Sequence, residues 1–226
     1  MIHIIRKLST ALTKFIWVQY HSMKDETNFL TDEQYLKFLN AIPRMRMFHK
    51  PVKRTTFSPR VTQLLFAVIH DGAFRVSEVL KLTPSDLIID KKLIKLEGTK
   101  GTKKSKGNQK REFGWIKPNL WEELLTYSLN FAPDERMFKT SRQTVWTWAK
   151  DAGKIAGIQL LHENKDTTNM TVHTLRHTRA VSLVDKGMKV NELMKKLRHR
   201  SLEPTTTYLT VNIDKVRETE EALDKS

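Results

Sequence analysis

The chain has 226 residues, with 40 Lys and Arg against 25 Asp and Glu, and so a formal net charge of +15. The absence of cysteine rules out a disulfide scaffold, thiolate zinc sites, iron–sulfur clusters and thiol nucleophiles, and fits a reducing compartment. With 39% apolar residues there is enough material for a buried core, so the excess charge belongs to a folded protein and points to a polyanionic partner, nucleic acid before an anionic membrane surface.

Residues 1–28 read as an amphipathic helix, with Ile5, Leu8, Leu12, Phe15 and Ile16 at three and four spacing, and a polar link; they are too few for an independent domain. The run Phe15-Ile16-Trp17-Val18 stops at Gln19, too short for a signal peptide, and nothing approaches the ~18 apolar residues of a spanning helix. The expectation is a cytoplasmic protein without membrane association, nucleoid-associated if prokaryotic. Thr31 and Asp32 offer caps to a helix with Tyr35, Leu36, Phe38 and Leu39 that ends before Pro43, and the basic stretch 44–60 reads as a loop. Ser58-Pro59 then supplies cap and first turn for an apolar helix broken at Gly72, and a short helix follows at 76–80. From there the apolar period changes from 3.6 to 2. Residues 87–89, 93–96 and 113–116 read as short strands, the last two joined by a long turn over 98–110. Everything after Pro118 is helical in pattern, over 118–130, 142–156, 172–186, 190–198 and 213–224. The expected class is mainly α with a small antiparallel β-sheet (α+β), as one domain over 29–211 followed by a helical tail, 212–226.

Nine basic residues, Lys91, Lys92, Lys95, Lys100, Lys103, Lys104, Lys106, Lys110 and Arg111, face the single acid Glu97 between 91 and 111. On a hairpin tip they can follow a nucleic-acid backbone, gaining affinity by counterion release; the alternative is a solvated face. His173 and His177 have the spacing of a helical zinc site, but Thr174 stands where a metalloprotease needs Glu and no thiolate is available, so no metal is expected. His173 and Arg176 share a face near a helix start that Thr171 can cap, and with the helix amides they make a phosphate site. His177 also reads as a buried core residue. Arg75 stands in the turn before the short helix, where a surface pair with Glu78 is the alternative role. His199, in Leu197-Arg198-His199-Arg200-Ser201, comes nine residues before Tyr208, which by itself could be a packing residue.

Taken in order, these pieces resemble the catalytic domain of the tyrosine recombinases, or phage integrases: G-x-x-R-x-S-E-x-x-x-L around Arg75, a lysine on the next hairpin, H-x-L-R-H at His173 to His177, and a histidine nine residues before a tyrosine. The resemblance covers 29 to about 215. It departs at Arg198, where Gly commonly precedes the histidine, and in a hairpin turn longer than usual. The family's separate N-terminal DNA-binding domain has no counterpart within these residues; residues 1–28 can be read as its remnant, its linker or the boundary of a truncated chain. The resemblance implies cleavage and rejoining of double-stranded DNA through a 3′-phosphotyrosyl link, without metal or cofactor, in site-specific recombination of a mobile element. Tyr208 would attack, Arg75 and Arg176 would clamp the phosphate, His173 would take the phenol proton and His199 would bond a non-bridging oxygen. A lysine would protonate the leaving 5′ oxygen: Lys100, at a strand end, or else Lys106, in a Lys-Gly-Asn turn. Lys103, Lys104, Lys106, Lys110 and Arg111 would hold the DNA backbone. A tetramer on DNA is expected, built partly by exchange of the 212–226 tail, with a monomer possible when free. A type IB topoisomerase-like enzyme would use nearly the same residues as a monomer, whereas a non-catalytic DNA-binding protein would have no use for Tyr208 or His173. No carboxylate cluster accompanies the histidines, which disfavours a metal-dependent nuclease.

Overall fold

The computed structural model describes residues 29–47, 58–97, 112–162, 165–168 and 170–199. The N-terminal helix, the hairpin tip with Lys100, Lys103, Lys104, Lys106, Lys110 and Arg111, and the C-terminal stretch with Tyr208 and the tail lie outside the described residues.

Helix α1 (Asp32–Ala41) opens on a capping box: the Gln34 amide donates to the Thr31 hydroxyl at 3.1 Å, and the Thr31 amide to the Gln34 side-chain oxygen at 2.9 Å. It runs into a 3-10 turn, Ile42–Met47, which absorbs Pro43. Helix α2 (Pro59–Gly72) begins as expected, with Ser58 as cap and Pro59 in the first turn, and buries Leu64, Leu65, Val68 and Ile69. Its end differs from the sequence reading. Gly72 is still helical, and the left-handed residue that stops the helix is Ala73, at φ 48°. Gly72 is needed for room instead: a Cβ there would lie 2.2 Å from the Phe74 ring, and one on Gly114 would lie 2.3 Å from the same ring. Phe74 is therefore gripped between two glycines from distant parts of the chain.

After the short helix α3 (Val76–Val79) comes a three-stranded antiparallel sheet, β1 (Leu87–Ile88), β2 (Leu93–Leu96) and β3 (Glu112–Gly114), in the order 1-2-3. Leu87 pairs with Ile94, and Ile94 with Gly114. The third strand is earlier and shorter than the expected 113–116. Beyond Gly114 the chain turns under the Asp71 carboxylate, which accepts the Lys117 amide at 2.6 Å and draws the backbone out of the ladder. Helices α4 (Pro118–Ser128) and α5 (Arg142–Ile155) follow. The expectation that everything beyond Pro118 is helical is corrected here: β4 (Leu160–His162) and β5 (Lys165–Thr168) form an antiparallel hairpin. Its second strand is wholly polar, so no alternation of apolar residues announces it. Helices α6 (Val172–Asp185) and α7 (Val190–Leu197) complete the described fold. None of these helices is long and apolar enough to cross a membrane.

Two apolar clusters set the architecture. The larger holds Phe38, Phe66, Phe74, Leu96 and Trp121; the smaller holds Ala73, Ala180, Val181, Leu193 and Leu197, where α7 folds onto α6. Consecutive residues Ala73 and Phe74 belong to different clusters, so the turn that carries Arg75 is pinned from both sides. The ion pair of Arg179 with Asp71, 3.2 Å and nearly buried, fastens α6 to the end of α2.

Candidate active site

Three elements supply the site. The turn between α2 and α3 carries Arg75, the first turns of α6 carry His173 and Arg176, and the residues after α7 carry His199. Thr171 caps α6 as expected, its hydroxyl accepting the Thr174 amide at 3.4 Å. Arg75, His173 and Arg176 line one cleft of about 720 Å³.

Arg176 is buried. One terminal nitrogen donates to the Ala73 carbonyl at 2.5 Å, the other to the Leu197 carbonyl at 2.6 Å, and the latter also reaches His199 Nε2 at 3.1 Å. Three parts of the chain, 73, 176 and 197–199, are thus locked at one guanidinium. Arginine has no acceptor, so Nε2 of His199 must hold a lone pair and the ring proton lies on Nδ1. A neutral ring agrees with its surroundings: burial, then the charges of Arg176, Arg75 and Arg198, push the His199 pKa down to about 4. His173 is held below its usual value in the same way, first by burial and then by Arg176 and Arg75. It is therefore a neutral imidazole at pH 7, able to accept a proton.

Arg75 does form the expected pair with Glu78, yet it still faces the cleft. Its Nη1 meets Glu78 Oε1 at 2.8 Å, its amide donates to Oε2 at 2.7 Å, and the side chain keeps about a third of its exposure. Burial alone would raise the Glu78 carboxyl, but Arg198 and the bonds from Arg75 more than offset this and hold it below the usual carboxylate range. His177 is half-buried on α6, with its ring centroid 6.4 Å from that of Phe29, and does not line the cleft. Among the described residues no group of three or more His, Cys, Asp or Glu could hold a metal ion.

The start of α5 also lines the cleft, with Arg142, Gln143 and Trp146. Sequence reasoning passed over them. The usable signal was a helix opening on Ser141-Arg142-Gln143 with Trp146, which stays 43% exposed beside the Lys150 ammonium, 5.4 Å from its ring.

The sequence profile of the phage integrase family matches residues 28–215. The chain belongs to this family of tyrosine recombinases. The tyrosine recombinase XerA of Thermococcus onnurineus is 28% identical over 202 residues, covering 85% of this chain and 61% of its own length. A tyrosine recombinase of Pseudothermotoga lettingae is 27% identical over 214 residues, covering 91% of this chain and 69% of its own. The chain thus spans less than two thirds of the XerA relative. Among solved structures, the catalytic domain of bacteriophage HP1 integrase matches with a TM-score of 0.59 at 19% identity, covering 87% of this chain and 95% of that one. The XerH site-specific recombinase bound to its difH substrate matches with a TM-score of 0.60 at 20% identity, over 80% of this chain and 50% of that one. These likenesses show the fold of the tyrosine recombinase catalytic domain.

Proposed function

We propose that this domain cleaves and rejoins double-stranded DNA as a site-specific recombinase, through a 3′-phosphotyrosyl intermediate on Tyr208. The observation that carries the reading is the convergence of Arg75, His173 and Arg176 on one cleft, with His199 bonded to Arg176. In the forward step the Tyr208 oxygen bonds to phosphorus and the P–O5′ bond breaks. The phenol proton passes to His173, and the leaving 5′ oxygen takes a proton from Lys100, with Lys106 as the alternative donor. A phenol of pKa near ~10 is ionised to about one part in a thousand at pH 7, so a neutral base beside it matters; the surroundings that lower His173 supply one. Arg75 and Arg176 offset the charge that grows on the phosphate, the largest contribution expected. His199, with its proton on Nδ1, donates from that atom to a non-bridging oxygen. The phosphotyrosine retains the bond energy, so a 5′ hydroxyl reverses the same step without nucleotide or metal.

The DNA partner is supported by the net charge of +15 and by XerH, a protein of the same fold seen with its DNA substrate. Lys103, Lys104, Lys106, Lys110 and Arg111 follow the DNA backbone in this reading, and the cleft wall of Arg142, Gln143 and Trp146 faces the duplex. Exchange of the 212–226 tail builds a tetramer on DNA, and the setting is recombination of a mobile element. The deciding experiment traps the chain on nicked duplexes drawn from a randomised pool and resolves adducts on a denaturing gel. An adduct from the wild type that survives excess EDTA is expected, with none from Tyr208→Phe although its duplex binding persists. A covalent adduct on the Phe variant would remove Tyr208 as the nucleophile.

A further inference from the structure

We propose that Arg198 is a positioning residue of the phosphate clamp: by sharing Glu78 from behind, it limits Arg75 to one side-chain bond with that carboxylate and leaves the other guanidinium donors to meet a phosphate in the cleft. The kinetic part of this inference rests on the recombinase reading above.

Arg198 occupies a conformation that argues for its side chain. Its φ of 54° lies in the left-handed region, where glycine is at ease and any side chain is strained. Glycine is what the family pattern commonly has there. The side chain is 3% exposed; both terminal nitrogens are hydrogen-bonded, whereas the buried Nε makes no hydrogen bond among the described residues. Nη1 donates to the Lys196 carbonyl at 2.8 Å, while Nη2 donates to Glu78 Oε2 at 2.8 Å and to the Ala73 carbonyl at 3.3 Å. Its central carbon lies 4.9 Å from the Phe74 ring centroid, and Nε is 4.0 Å from Glu112 at the start of β3.

Both cleft arginines are therefore one bond from Arg198. Arg176 shares the Ala73 carbonyl with it, and Arg75 shares Glu78. Glu78 is 2% exposed, so its charge is scarcely screened by water and must be matched by neighbouring cations. Two are present, and only Arg75 faces the cleft. With Arg198 in place the carboxylate is balanced by a guanidinium that never reaches the substrate, and Arg75 keeps its charge for the phosphate. Without Arg198, both carboxylate oxygens are left to Arg75, whose fork-shaped head matches them in a two-bond geometry directed away from the cleft. A shift of about 1 Å in such a group can cost on the order of 100-fold in rate.

Arg198→Gly removes the guanidinium and keeps the backbone conformation, so it separates the side chain from the turn. With a nicked duplex selected by covalent capture on the wild-type chain, the variant is expected to bind with unchanged Kd and to form adduct about 10- to 100-fold more slowly at saturating DNA. The distinguishing readout is Glu78→Gln added to that variant. Removing the carboxylate charge releases Arg75, so the double variant should recover to within about tenfold of the wild type. A purely structural role predicts the opposite, since a second missing bond would deepen the defect; that result, or an Arg198→Gly variant as fast as the wild type, overturns the proposal. Should Arg198→Gly melt below the assay temperature, Arg198→Lys with and without Glu78→Gln gives the same comparison. If the wild type captures no DNA, the recombinase reading fails separately. The crystal structure of Arg198→Gly then decides: Arg75 folded onto both oxygens of Glu78 supports the inference, and Arg75 unmoved sinks it.

Discussion

Arg176 is held by two backbone carbonyls and a histidine, so in the proposed reaction its charge would need no reorganisation when a phosphate enters, which is where electrostatic catalysis gains most. The general acid has to satisfy a similar demand, and this favours Lys100 over Lys106. An acid must reach one oxygen repeatedly, and Lys100 comes four residues after β2 ends at Leu96, closer to a rigid strand than Lys106. A general acid matters only while its leaving group is basic. With sulfur at the 5′-bridging position, a much better leaving group, cleavage by Lys100→Ala should recover while cleavage by Arg176→Lys should not. Recovery of Lys106→Ala with none for Lys100→Ala reverses the assignment. At this scale the sequence was informative where chemistry forces a residue type at a fixed spacing, as for His173 and Arg176 three apart on a capped helix. It marked Arg198 only as a departure from the usual Gly and left its role unread, because nothing in a run of basic residues tells that one guanidinium points inward to a carboxylate 120 positions away.

The elements position the site through Phe74, and this makes two glycines testable. Replacing Gly72 by Ala should gain up to about 1 kcal/mol of helix propensity. The added Cβ, however, would lie 2.2 Å from a ring buried at 1% exposure, and overpacking of that kind costs about 1–3 kcal/mol. The clash wins, so Gly72→Ala should lower the thermal midpoint. Gly114→Ala, with its Cβ 2.3 Å from the ring and 3.3 Å from Leu96, meets two neighbours for a similar backbone gain and should lose at least as much. Either variant melting above the wild type would show that Phe74 is not confined as described. The helices were legible because their caps are explicit: Thr31, Ser58 and Thr171 each accept an amide from the first turn. The β4–β5 hairpin was not, since Lys165-Asp166-Thr167-Thr168 carries no apolar alternation and pairs through backbone bonds that any sequence can make. The end of α2 was misplaced for a related reason. Gly72 looks like a helix stop, but its lack of a side chain serves the Phe74 ring, and Ala73 takes the strained conformation instead.

At the scale of the whole molecule, charge bears on the proposed DNA binding and on stability. Replacing Lys103, Lys104 and Lys110 together by Ala should weaken binding to unrelated duplexes about equally, and should flatten the slope of log affinity against log salt by roughly 0.9 for each phosphate left without its lysine. An unchanged slope would make that tip a solvated face. Stability should rise with pH from acid to mildly alkaline solution. Burial, followed by the Arg179 charge, lowers the His70 pKa to about 3, and His199 is lowered to about 4. Below pH ~6.5 the unfolded chain therefore binds protons that the folded chain refuses, and stability falls with falling pH until those folded values are passed. His70 alone accounts for on the order of 3–5 kcal/mol over that range. Glu78, held below the usual carboxylate range, adds a loss of the same sign at the acid end. Above neutrality Lys196 acts in the same direction: burial lowers it to about 7, so only the unfolded chain stays protonated between there and the ordinary lysine value, and stability climbs as pH rises. Tyr35, raised by burial and by Asp71, reverses the trend above pH ~10, where the unfolded phenol ionises and the folded one does not. Denaturant unfolding between pH 4 and 10 should trace this climb. Simple repulsion among the basic residues would also weaken the fold in acid, but it is screened at 1 M salt, where the Debye length falls to ~3 Å. Proton linkage at His70 is not, because its ring is buried against Tyr35 with centroids 3.9 Å apart. An acid limb that persists in 1 M salt and flattens in His70→Gln assigns the loss to that histidine, whereas one that salt abolishes assigns it to the charge of the whole chain.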